Sequence, residues 1–138
     1  ERIAAAWSGM AATLSALGRN REALRAHDRG IGIYRTLADT AAPALAMARA
    51  ERAHALLGLG DSVQAEAELR DSLAEIAAAR GLPPRPYWER FGLLVEAACR
   101  NRAADCAALR DEARQALQRP LPGIVTLRLR QALAASED

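Results

Sequence analysis

The sequence predicts an all-α fold, an array of antiparallel helical hairpins, and three observations carry that expectation. First, the chain of 138 residues is 51% apolar but only 4% aromatic, with Ala and Leu dominant and too few β-branched residues to build a sheet. Second, apolar positions recur at three- and four-residue spacing in six segments separated by Gly and Pro. Third, the landmarks repeat. Trp7, Met10, Ala11, Leu14, Gly18 and Ala23 have counterparts in Trp88, Phe91, Gly92, Val95, Cys99 and Ala104, and a weaker copy reads Ala53, Leu56, Gly60, Ala65, Leu69. At this length the array forms a single domain spanning 1–138.

The first helix is expected from Ile3 to Leu17, with Ile3, Trp7, Met10, Ala11 and Leu14 facing inward and Gly18 as a left-handed terminator. Asn20 can cap a second helix, whose inward stripe is Leu24, His27, Ile31, Tyr34 and Leu37. Gly30 and Gly32 would each weaken an isolated helix by about 1 kcal/mol, so close approach to a neighbour is their expected role. Ala38 to Pro43 is a break, and Pro suits the first turn of the third helix, which runs to about Gly58 with Leu45, Ala53 and Leu56 inward. Arg49 and Arg52 stand there in the places of Trp7 and Met10, with stems along apolar surface and heads in water, which predicts the middle hairpin to be the least tightly packed.

Asp61, with Gln64 three residues on, resembles a capping box ahead of a fourth helix with Ala65, Leu69, Leu73 and Ile76 inward. The stretch from Gly81 to Pro86 is a stiff linker. A fifth helix covers about Tyr87 to Cys99. Asn101 or Asp105 caps a sixth, with Cys106, Leu109, Ala113 and Leu117 inward, and Pro120 to Gly123 breaks the chain again. In the remainder, Val125, Leu127 and Leu129 alternate like a strand, whereas Val125, Leu129, Ala132 and Leu133 fit a helix. A lone strand would have no partner, so a helix covering the last hairpin is expected. Glu1 opens directly into helical pattern without an initiator Met, as expected of a piece of a longer protein.

Trp7 and Trp88 are 81 residues apart, twice a period near 40, and Gly18 and Gly60 are 42 apart. Self-similarity at such a period marks a solenoid. The order Trp-x-x-apolar-small-x-x-apolar, then a small turn residue and an Ala, resembles the tetratricopeptide repeat up to about Leu117. The longer period and the Leu59-Gly60-Asp61 turn are similar to repeats of bacterial signalling proteins and transcriptional regulators. The resemblance implies a right-handed α-solenoid of three hairpins, about 3–40, 43–80 and 84–118, and a capping helix over about 122–135. It also implies that the small residue of the first helix lets its partner approach, with Ala23, Ala65 or Ala104 fitting against it.

The same resemblance places a concave groove on the first helices of the hairpins. Its wall would be Ala5, Ser8, Ala12 and Ser15, then Met47, Ala50, His54 and Leu57, then Glu89, Leu93 and Glu96. The expected guest is a peptide or helix of a protein partner, with a basic group near Glu89 and Glu96 and apolar groups near Met47 and Leu57. The chain would then serve as the regulatory module of a larger protein. The alternatives are a groove filled in cis, simple solvation, and self-assembly through exposed array ends. The carboxylate clamp of some relatives uses Lys and Asn, but this chain has no Lys and its Asn20 and Asn101 lie in turns.

Other functions find little support in the residues. All 19 basic residues are Arg, but acidic residues are interleaved and the net charge is +2, so no nucleic-acid partner is expected. Gly30-Ile31-Gly32 lacks the third glycine and the preceding strand of a phosphate loop. His27 reads as a core residue, His54 as a partner contact, and no catalytic site or cofactor is expected. Cys99, Cys106 and the two His match no zinc spacing, so no metal is expected. The two Cys make no disulfide framework in a chain this size, which leaves a reducing cytoplasm as the default, and Cys99 is explained as a small turn residue. No apolar run is long enough to span a membrane.

Overall fold

A computed structural model describes residues 1–37, 42–81 and 83–137. Seven helices and no strands occur among them: α1 (Arg2–Ala16), α2 (Asn20–Arg35), α3 (Ala42–Gly58), α4 (Ser62–Ala78), α5 (Arg85–Arg100), α6 (Cys106–Ala116) and α7 (Gly123–Ala135). The chain is therefore all-α, and the segment after Pro120 is a helix. The first break lies mostly outside the described residues, as does Leu82 of the linker.

Each helix packs on the next, and the odd-numbered helices also touch one another in order. Thus α3 meets α1, α2, α4 and α5, and α5 meets α3, α4, α6 and α7, while among the described helices α1 meets only α2 and α3. The main core runs from α3 to α7 and includes Leu56, Leu69, Trp88, Phe91, Val95 and Leu129. A smaller cluster of Ala4, Ile31, Tyr34 and Ala48 joins the first hairpin to α3.

Three turns fix the true register of the repeat. Arg19 N–H donates to Leu14 O, Asp61 N–H to Leu56 O and Ala103 N–H to Ala98 O, each at 2.9 Å. A left-handed residue sits inside each of these closures, Gly18 (φ 76°), Gly60 (φ 84°) and Arg102 (φ 54°). These positions are 42 residues apart both times. In this register Ala4, Ala46 and Trp88 are equivalent and all buried, as are Ala11, Ala53 and Val95.

The two tryptophans are therefore not equivalent, and the spacing of 81 residues misaligns the third copy by three. Phe91 is the counterpart of Trp7. Trp88 is buried against Tyr87 and Phe91, with ring centroids 5.0 and 5.1 Å away. Trp7 is half-buried beneath the Arg29 guanidinium, 5.3 Å from its ring. A large ring can fill a gap between stacked helices from either of two positions one turn apart, so matching by residue type chose the wrong pair.

Ala104 is not in the second helix of its hairpin either. It is exposed in a turn that runs two residues longer than the earlier two, so that α6 begins at Cys106. Allowing for those two residues, the buried set Ala65, Leu69, Ser72 of α4 maps onto Leu109, Ala113, Ala116 of α6 and onto Ala23, His27, Gly30 of α2. Leu109 is thus the counterpart of Ala23. Neither Asn101 nor Asp105 caps α6 through its side chain, and Asn20 does not cap α2, whereas Asp61 accepts from Gln64 N–H at 3.2 Å as expected.

The inward stripe expected for α1 also needs correction. Ile3 and Met10 are 67% and 52% exposed, and Ala4 and Ala11 are the residues buried. The middle hairpin is well packed rather than loose. Arg52 bonds Asp28 of α2 at 2.7 Å and Glu68 of α4 at 3.1 Å, and Arg49 pairs with Asp71 and Glu75, so the arginines clamp three helices together.

The two cysteines are bonded to each other, contrary to the reading of Cys99 as a plain turn residue. Cys99 ends α5 and Cys106 opens α6, and the fold-back at Arg102 brings their Cα atoms to 5.0 Å. The same turn is tied to α4. Asn101 donates to Ser62 O and Glu66 at 2.8 and 2.9 Å, and Arg70 grips both oxygens of Asp105. The bonds from Asn101 and Arg70 hold the Glu66 carboxyl below its usual range, and Arg70 does the same for Asp105.

Candidate functional site

The odd helices do not stack evenly. α7 lies close along α5, with little contact to α6. Gly92 allows this: a Cβ there would stand 3.1 Å from Ala132 Cβ and 3.3 Å from Arg128 O. Where α7 leans on α5 and α3 stands off, a cleft of about 300 Å³ opens. Gly92, Leu93, Ala132 and Ala135 give it an apolar lining, and His54, Glu89, Glu96, Arg128 and Gln131 give it polar groups.

Four of the residues expected to line the groove meet at this cleft: His54, Glu89, Leu93 and Glu96. The others do not. Ala50 and Leu57 are buried in the core, at 0% and 5% exposure, and present no side chain to a guest. The reason is register, for Ala50 is the counterpart of Gly92, a position spent on helix packing. Met47 is half-buried against the core. Ala5 and Ala12 are exposed on α1, Ser8 and Ser15 are half-buried there, and none of them reaches the cleft.

The cleft is not simply acidic. Glu89 lies 3.5 Å from Arg128, 3.7 Å from Arg85 and 3.9 Å from Arg90. Glu51 joins the same cluster, 3.3 Å from Arg90 and 3.7 Å from Arg128. Glu89 therefore already has counter-charges from its own chain. Glu96 is different, since its one ion-pair partner among the described residues, Arg100 at 2.5 Å, is a neighbour one turn along α5 that also donates to Leu57 O at 3.2 Å. Sequence reasoning missed Glu51, Arg90, Arg128 and Gln131. The segment that holds Arg128 carries a strand-like alternation beside its helical pattern and is expected only as a cover for the last hairpin, so the pattern aims neither Arg128 nor Gln131 at the groove.

No group of three or more metal-ligating side chains occurs among the described residues, and none of their helices is long and apolar enough to cross a membrane. Comparison with family models, with curated proteins and with solved structures finds no match for this chain.

Proposed function

We propose that the chain is a protein-interaction module, a right-handed solenoid of tetratricopeptide type, whose cleft between α3, α5 and α7 takes a segment of a partner polypeptide. The observation that carries this reading is the cleft itself, with an apolar lining beside polar groups from three helices. At about 300 Å³ it holds one or two side chains, not a whole helix. The guest is a peptide that sets an apolar residue over Leu93 and Ala135 and a basic group against Glu96. No nucleotide, metal or cofactor is part of this reading. Regulation of a larger bacterial protein is the setting proposed for it. In a cytoplasmic location Cys99 and Cys106 would stand as thiols, whereas an oxidising compartment keeps them joined.

The test is selection of peptides on the intact chain from a random displayed library, followed by affinity measurement on variants. Glu96→Arg and Ala135→Arg alter exposed or half-exposed positions of the cleft and should each weaken selected peptides at least tenfold, about 1.4 kcal/mol. Ala108→Arg, exposed on α6, should have no effect. Selected peptides that bind all three variants as tightly as the parent chain would place the interaction elsewhere.

A further inference from the structure

The 42-residue register exposes an unfilled seat. On α3 the row Ala48, Arg52, Ala55 is buried or half-buried, and on α5 its counterparts Arg90, Leu94, Ala97 are likewise. On α1 the same row is Ala6, Met10, Thr13, and all three are exposed. What covers the row on α3 is α2: Ala48 clusters with Ile31 and Tyr34, and Arg52 bonds Asp28. On α5 the preceding even helix is α4, which is in contact along it. The described residues supply no such helix for α1.

The seat can be compared position by position with its equivalent one repeat later. There Arg49, Arg52, Gln64 and Glu68 of α3 and α4 face Asp28, Ile31 and Arg35 of α2 across a cleft of about 280 Å³, so that a helix walls the far side. In the first repeat the same positions are Trp7, Met10, Glu22 and Ala26, joined by Arg25 and Arg29; the Arg29 guanidinium lies over the Trp7 ring, and no helix among the described residues walls the far side. The apolar surface continues through Ile3 and Arg2 to the start of α1.

Charge identifies the occupant. Arg2, Arg25 and Arg29 border the seat and have no ion pair among the described residues, while Glu22 is already bonded to Arg19. We infer that the outer face of α1 receives an acidic amphipathic helix of a partner protein, laid down as α4 lies on α5. Large aliphatic residues of that helix would stand over Met10 and Trp7, and its carboxylates would meet Arg25 and Arg29. A second copy placed α1 to α1 would instead set these arginines against each other. This surface is separate from the α3/α5/α7 cleft and stands without it.

Two segments of the chain itself serve as probes. Residues 61–80, which include α4, carry five carboxylates and two arginines, and residues 19–37, which include α2, carry five arginines and two carboxylates. Each is made as a synthetic peptide with a hydrocarbon staple on its exposed face, at 63/67 in the first, and verified helical by circular dichroism. Fluorescence anisotropy with the full chain should show saturable binding of the 61–80 peptide. Binding of the 19–37 peptide should be at least tenfold weaker. Met10→Glu and Arg29→Glu, both at exposed positions, should each weaken the 61–80 peptide at least tenfold, whereas Ala135→Arg should leave it unchanged. Equal affinity for the two peptides, binding indifferent to Met10→Glu, or no saturation by about 1 mM, where affinity is only about 4 kcal/mol, would overturn the inference. So would sedimentation showing a dimer that Met10→Glu dissociates, because a second copy would then own the seat.

Discussion

Gly30 and Gly32 sit two residues apart in one helix, and the same substitution at each should move stability in opposite directions. Gly32 is exposed, and a Cβ built on it meets nothing within 4 Å. Its replacement by Ala removes the entropic cost of a helical glycine and should stabilise the fold by about 0.8 kcal/mol. Gly30 is buried, and its Cβ would stand 3.1 Å from Ala4 O and 3.2 Å from Trp7 Cβ. Both atoms belong to or adjoin the α1 backbone, so α1 as a whole has to retreat. Overpacking of this kind costs about 1–3 kcal/mol, which exceeds the propensity gain and leaves Gly30→Ala destabilised by about 1 kcal/mol. The two variants should thus differ by about 2 kcal/mol, or roughly 8 °C in Tm for a domain of this size. Urea unfolding followed by circular dichroism measures both against the parent chain. Equal stabilisation by the two substitutions would refute the close crossing of α1 and α2 at Gly30, and with it the register that places Gly30 opposite Ala4.

Three further outcomes are expected. The Cys99–Cys106 bond closes a short loop, for which loop-closure entropy predicts about 2 kcal/mol of stabilisation. Dithiothreitol should lower the urea midpoint accordingly and should leave a Cys99→Ser, Cys106→Ser chain untouched. His27 is buried with its Nδ1 unpartnered, and burial pushes its pKa below the usual value. Its neutral form is therefore the one the fold accepts. Its contribution is fully present above about pH 6.5 and is lost as pH falls below that toward the lowered folded value. Stability should drop between pH 7.5 and 5, and His27→Leu should flatten that slope. The carboxylates held low by Arg70 and Asn101 act in the other range, where Asp105 and Glu66 protect the α5–α6 turn until acid protonates them. Asp105→Asn should therefore reduce the loss of stability between about pH 4 and pH 2; an unchanged acid limb would show that the Arg70 clamp contributes nothing measurable.

Helix boundaries were the most legible part of the chain because Gly18, Gly60, Asp61, Pro84 and Pro122 mark them chemically. The periodic stripes of α2 and α4 were equally clear, since Ile31, Tyr34, Leu69, Leu73 and Ile76 are the residues actually buried. The α1 stripe was misread for a reason that periodicity cannot correct. Its apolar residues spread over a wide arc, and Ile3 and Met10 belong to the part that only a further helix would cover. Identity between Trp7 and Trp88 then outweighed the subtler equivalence of Gly18 with Arg102, a left-handed position that arginine does not advertise. A two-residue longer turn hid the rest, displacing Leu109 from the place where Ala104 was sought.

That longer turn also accounts for what makes the last hairpin unlike the others. α6 has 11 residues where α2 and α4 have 16 and 17, and it covers less of the face of α5. α5 is left with surface to bury, and Gly92 offers the flattest part of it. α7 takes up that surface through Val125, Leu129 and Ala132 rather than packing on α6. The cleft follows from this choice. Were α7 laid on α6 in the manner of α3 on α2, Arg128 would not face Glu51 and Glu89, and His54 and Glu96 would border open solvent. The candidate site is therefore a consequence of a repeat that breaks its own rule at the turn carrying Cys99, Arg102 and Cys106. A variant with two residues deleted between Arg102 and Cys106 should restore the 42-residue spacing and, by shifting α6 back along α5, displace α7. The readout is loss of cleft-selected peptide binding with helix content retained; unchanged peptide binding would show that the position of α7 is set by Gly92 alone.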